Sequence, residues 1–213
     1  MEMLFLGIGI LLIFLMSMGF GYFVANKDKK ENETRFSFLT HFPFEIKCRD
    51  EKLNLVFRGL LVIIAVLIGF TALYTLFINA SYLLEKNLSL LILLNAFILV
   101  ALFIIDTRKY KVHLITSILF MVVNLGIYFL IWYLPIRDNF VNYHLATLII
   151  GVVLFLVLVF LTFLPSLKRW YVMEIDEEGN KTRGKVFPLA LIEWIHIVIY
   201  LLSFIVLLIN YLI

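Results

Sequence analysis

The run Phe187–Ile213, FPLALIEWIHIVIYLLSFIVLLINYLI, carries a single charged residue, Glu193, in 27 positions. A helix rises 1.5 Å per residue, so this run exceeds the roughly 20 residues needed to cross about 30 Å of hydrocarbon. It is also far longer than a strand or a buried helix of a water-soluble core. It therefore reads as a membrane-spanning helix over 187–212. Five more segments of the same kind lie near 3–24, 54–80, 88–105, 112–135 and 141–165. Composition agrees, since 63% of the 213 residues are apolar and 15% charged, against about 45–50% and about 25% in soluble domains. The expected fold is an all-α integral membrane protein, one compact bundle of six transmembrane helices forming a single domain.

Lysine and arginine concentrate on cytoplasmic loops close to the spans. Fifteen of them fall in the connections 25–53, 106–111 and 166–186, whereas the opposite side carries Lys86 and Arg137. Arg58 lies just inside the second span, where it can snorkel to the headgroups. This asymmetry predicts both termini outside and all three longer loops in the cytoplasm. The first span opens on Glu2, has no basic residue before its core, and ends in Lys27, Lys29 and Lys30. It is expected to remain as an anchor rather than to be a cleaved signal. The outer connections are too short for a domain and make spans two and three, and four and five, antiparallel neighbours.

The formal charge of +3 does not indicate nucleic acid, because the basic residues flank apolar spans instead of forming a patch on a soluble face. Cys48 has no partner for a disulfide; a reduced thiol is expected there, with acylation the alternative. Abundant Phe, Ile, Lys and Asn suggest an A/T-rich genome and hence a bacterial plasma membrane.

Two of the loops have internal pattern. The first runs KDKKENE and then turns aromatic, placing Phe36, Phe38, Phe42 and Phe44 within nine residues. So many phenylalanines are not left free in water; they are expected at the headgroup boundary or under the bundle, with a partner-docking groove as the sharper alternative. The last loop alternates on either side of Gly179-Asn180, which predicts a small hairpin over 171–186, with Glu174 and Asp176 facing Lys181, Arg183 and Lys185.

Polar groups inside a bilayer face the bundle interior, a water-filled route or a partner, because lipid cannot satisfy them. At 100° per residue, Glu193, His196, Tyr200, Ser203 and Asn210 share an arc of about 100° on the sixth helix. On the fourth span His113, Thr116, Ser117, Asn124 and Tyr128 share an arc of about 120° by the same stepping. The pairs Ser17/Gly21, Ala65/Gly69 and Thr147/Gly151 have the small-xxx-small spacing of close helix contacts. Glu193 with His196 at i+3 admits a structural or partner-bridging role, a proton or ion role, or a catalytic or metal role. A zinc site needs three or four convergent ligands, and no metal or other cofactor is expected.

No zinc-protease helix, nucleophile elbow or phosphate-binding glycine loop is present in the sequence. The residues point first to a non-catalytic accessory, assembly, immunity or regulatory subunit that binds another membrane protein or a second copy of itself. A small-solute, ion or proton-coupled transporter using the polar stripe, with Asn124 and Tyr128 around it, is the alternative. An intramembrane enzyme is the most distant.

Overall fold

The computed structural model describes residues 2–29, 35–74, 83–105, 110–137, 139, 144–163, 174–175, 181–182 and 187–212. Six helices account for most of them: α1 Glu2–Asn26, α2 Glu51–Tyr74, α3 Leu83–Ile104, α4 Tyr110–Arg137, α5 Leu145–Thr162 and α6 Pro188–Leu212. All six contain a stretch long and apolar enough to cross a membrane, so the architecture is that of a multi-pass membrane protein.

Where the helix ends differ from the sequence expectation, local chemistry supplies the reason. α2 starts at Glu51 because Asp50 caps it, its Oδ1 accepting from the amides of Lys52 at 3.0 Å and Leu53 at 3.4 Å. α3 takes in Glu85 and Lys86, and the Glu85 carboxylate suits the first turn of a helix. α4 runs to Arg137, past Pro135, whose missing N–H costs one hydrogen bond near the helix end. α5 begins at Leu145, where the His144 ring accepts from the Ala146 amide at 3.4 Å. α6 begins on Pro188, a residue suited to a first turn because the amide it lacks would be unpaired there.

Consecutive helices pack against one another, and α6 closes the bundle by touching α1, α4 and α5. The three small-residue pairs all lie at these contacts. A Cβ on Gly21 would stand 2.6 Å from the Phe57 ring of α2, and one on Gly151 would stand 3.0 Å from Ile131 and 3.2 Å from the Trp132 backbone of α4. Only glycine lets those helices approach so closely. Gly69 meets Leu93 of α3 in the same way.

The first loop is held at both ends. Lys27 Nζ lies 3.1 Å from Asp50 Oδ2, tying the end of α1 to the start of α2. That hydrogen bond holds the Lys27 ammonium above its ordinary pKa and the Asp50 carboxyl below its own. Asn26 joins in, its Nδ2 donating to the Tyr22 carbonyl at 2.9 Å and its Oδ1 accepting from the Phe36 amide at 2.8 Å. In the last loop, two short strands pair antiparallel, β1 Glu174–Ile175 with β2 Lys181–Thr182, Glu174 opposite Thr182. The rest of the segment expected to form a hairpin, including Asp176, Arg183 and Lys185, lies outside the described residues.

Candidate functional site

The polar stripe of α6 faces inward. Glu193, His196, Tyr200 and Ser203 all have 0% exposure, which is what a bilayer demands of such groups. Asn210 belongs to α6, but its side chain lies outside those described. The partner of this stripe is α4, which runs in the same direction, and the two helices meet in rising order along their length.

At the end nearest the loops, Glu193 Oε1 accepts from Ser117 Oγ at 2.5 Å and lies 3.2 Å from His113 Nε2. The imidazole is within ion-pair distance but not aligned as a hydrogen-bond donor, and His113 Nδ1 and Glu193 Oε2 are also buried without a hydrogen-bond partner among the described residues. The ring of His113 is closed in by phenylalanines, with Phe42 at 5.2 Å and Phe44 at 5.0 Å, both edge-on. Phe42 in turn packs on Phe187 at 5.4 Å. The three phenylalanines form a separate apolar cluster with Met121, Leu189 and Ile192, a lid over His113.

One turn further along, Asn124 Nδ2 donates to the His196 carbonyl at 2.9 Å and lies 3.5 Å from the ring Nδ1. Thr162 of α5 approaches the other ring nitrogen at 3.4 Å while donating to the Leu158 carbonyl. Beyond these, Tyr128 donates to the Ile199 carbonyl at 2.6 Å, Tyr200 to the Ile92 carbonyl of α3 at 2.8 Å, and Ser203 to the Tyr200 carbonyl at 2.6 Å. A carbonyl has two lone pairs, so those of α6 can take these bonds and keep their helical ones.

Glu193 and His196, neighbours on one face of α6, take separate partners in a crossed arrangement. Glu193 joins Ser117 and His113, and His196 joins Asn124 and Thr162. Neighbours at i+3 differ by about 60° around a helix and by about 4.5 Å in height, so each meets a different level of the facing helix. Thr116, placed by helical stepping on the same face as Ser117, instead turns its hydroxyl back to the Val112 carbonyl at 2.9 Å.

The four loop phenylalanines are brought to the same end of the bundle. Phe36, Phe42 and Phe44 are buried under it, and Phe38 is half-buried, stacked on Tyr22 at 6.2 Å and edge-on to Trp194 at 4.8 Å. Two hydrogen bonds lace the loop to α6: the Phe187 amide donates to the Leu39 carbonyl at 2.8 Å, and Trp194 Nε1 to the His41 carbonyl at 2.8 Å. These side chains therefore serve as internal packing, the second of the two placements expected for them.

Asn95 was not signalled by any polar stripe on its helix, yet it is fully buried and both amide atoms lack a hydrogen-bond partner among the described residues. Its one sequence cue is its solitude, a lone amide between Leu94 and Ala96 deep in an apolar span. Among the described residues no group of three or more His, Cys, Asp and Glu side chains is placed to hold a metal ion. Compared with protein-family models, with curated proteins and with solved structures, the chain matches none of them.

Proposed function

We propose that this chain is a non-catalytic multi-pass subunit of a bacterial plasma membrane that binds another membrane protein or a second copy of itself. Both termini lie outside, the phenylalanine-rich loop lies in the cytoplasm, and a small hairpin at 171–186 sits on the same side. The basic-residue asymmetry supports that orientation. The observation that carries the functional reading is the crossed seam between α4 and α6, in which Glu193, His196, Asn124 and Tyr128 each place a polar atom on a partner within the chain, with Tyr200 extending it to α3. Such a seam fixes helices relative to one another and gives a rigid body with an apolar outer surface, as suits a scaffold or an assembly subunit.

The deciding measurement is extraction in mild detergent through a tag on the outside C-terminus. A stoichiometric protein partner, or a homo-oligomer of defined size, is the expected result; a clean monomer sinks the reading. A second reading rests on a specific observation: Glu193 Oε2 and His113 Nδ1 at one level of the seam and Asn124 Oδ1 at the next are buried without a hydrogen-bond partner among the described residues. Buried polar atoms with unused hydrogen-bonding capacity are what a proton-coupled carrier uses. Glu193→Gln in sealed vesicles tests it, and unchanged proton flux eliminates it.

A further inference from the structure

The first loop closes over a site whose hydrogen bonding is incomplete. Both ring nitrogens of His113 and Glu193 Oε2 are shut off from solvent, and none has a hydrogen-bond partner among the described residues. Buried polar atoms are ordinarily bonded to protein or to ordered water. An imidazole 3.2 Å from a carboxylate offers a donor and several acceptors, and water, which both donates and accepts, answers them.

The site lies close to the loop end of the bundle. His113 is the fourth residue of α4, about 4.5 Å along the axis from the helix start. The rings packed edge-on against it, Phe42 at 5.2 Å and Phe44 at 5.0 Å, both come from the first loop. They stand on one tight turn, Pro43–Glu45 with Phe42 as its cap. Glu45 Oε2 accepts from the Phe42 amide at 2.7 Å, and the Pro43 carbonyl accepts from the Ile46 amide at 3.3 Å. The two rings therefore form a single unit.

The packing of the loop is divided. Phe36 and Ile46, on either side of this turn, belong to the main apolar core, whereas Phe42 and Phe44 belong to the smaller cluster with Phe187. Lifting the middle of the loop parts the small cluster and leaves the main core whole, the condition for a local opening. Two hydrogen bonds fasten that middle to α6, from the Phe187 amide to the Leu39 carbonyl and from Trp194 Nε1 to the His41 carbonyl, each 2.8 Å. Closure is thus a balance. Ring burial and these bonds favour it, and the stranded polar atoms of His113 and Glu193 oppose it.

We infer that residues 37–45 are a gate that opens locally and admits water to the His113–Glu193 pair from the His113 side, with Phe36 and Ile46 as its fixed ends.

The full chain in lipid nanodiscs tests this with two readouts by mass spectrometry: carbethoxylation of each histidine by diethyl pyrocarbonate, and deuterium exchange of the amides in 36–46. His113 and His196 are equally enclosed, at 1% and 0% exposure, so static burial leaves both inert. The gate instead gives a slow reaction at His113 and none at His196, with exposed His144 as the fast reference. Trp194→Phe removes one fastening and is expected to speed the His113 reaction and the loop exchange by the same factor, roughly fivefold for one hydrogen bond, while the amides of α2 keep their protection. If that variant does not fold, Phe42→Leu, which thins the lid and leaves both fastenings, takes its place with the same direction expected at His113. A His113 as inert as His196 in the parent chain overturns the gate. So does a variant whose loop exchanges faster while His113 reacts no faster. Gate and function are separable, because access is read without proton flux or a partner.

Discussion

α5 and α6 are both apolar enough to span a bilayer, yet they hold opposite positions in the molecule. In α6, 71% of the span is buried; in α5, 17% is. α5 is purely aliphatic and aromatic on its outer face, where Ile149, Val153, Leu156 and Phe160 stand exposed, and it touches the bundle along one edge through Thr147, Gly151 and Leu158. α6 carries an acid, an imidazole, a phenol and a hydroxyl on its inward arc. Hydrophobicity decides that a helix enters the membrane, but lipid and protein interior are equally apolar, so it does not decide which helix becomes the centre. Polar groups decide that, because they have nowhere else to go.

The contrast breaks first at the seam. A hydrogen bond inside a bilayer averages about 0.6 kcal/mol, but removing one member of a buried pair leaves the other stranded, so Glu193→Ala is expected to cost about 3 kcal/mol. Unfolding by denaturing detergent measures it, and a loss no larger than that of an exposed position would make α6 no more central than α5. The peripheral helix has one sensitive point. Gly151→Leu drives a side chain into Ile131 and the Trp132 backbone and is expected to cost about 2 kcal/mol. Phe160→Leu on the exposed face stays within about 0.5 kcal/mol in the same assay.

Tyr128→Phe sharpens the comparison at finer scale. It removes one hydroxyl bond to the Ile199 carbonyl without opening a cavity and is expected to cost about 1 kcal/mol. The smallest effect lies outside the membrane, at Lys27 and Asp50. The Asp50 pKa is lowered from 3.8, so its contribution is present above that value and lost as pH falls through the lowered one. The Lys27 pKa is raised from 10.5, so its contribution is present below that value and lost as pH rises through the raised one. Asp50→Asn should flatten both limbs of the thermal midpoint against pH while leaving the plateau between them almost unchanged, as suits an exposed pair.

All six spans were legible because length and the scarcity of charge are properties of each segment alone. The inward arc of α6 was legible for the same reason, since helical stepping needs one helix only. Which residues meet was not. Glu193 chose Ser117 and His113 over His196 because axial offset between α4 and α6 sets the levels that touch, and that offset is fixed by packing throughout the bundle. The role of Phe42 and Phe44 as a lid over His113 joins positions about 70 residues apart, and no local pattern encodes it. Asn95 stayed hidden because a single amide makes no stripe.

The lid also sets an order in time. Trp194 and His41, which fasten the first loop to α6, are 153 residues apart. A chain lengthening at about 5–20 residues per second needs roughly 8–30 s to reach Trp194 after His41. Through that interval the loop phenylalanines have been synthesised but the helix that receives them has not, so they wait at the water boundary while α2 to α5 insert. The segment that finally closes over His113 is among the first made and the last to settle.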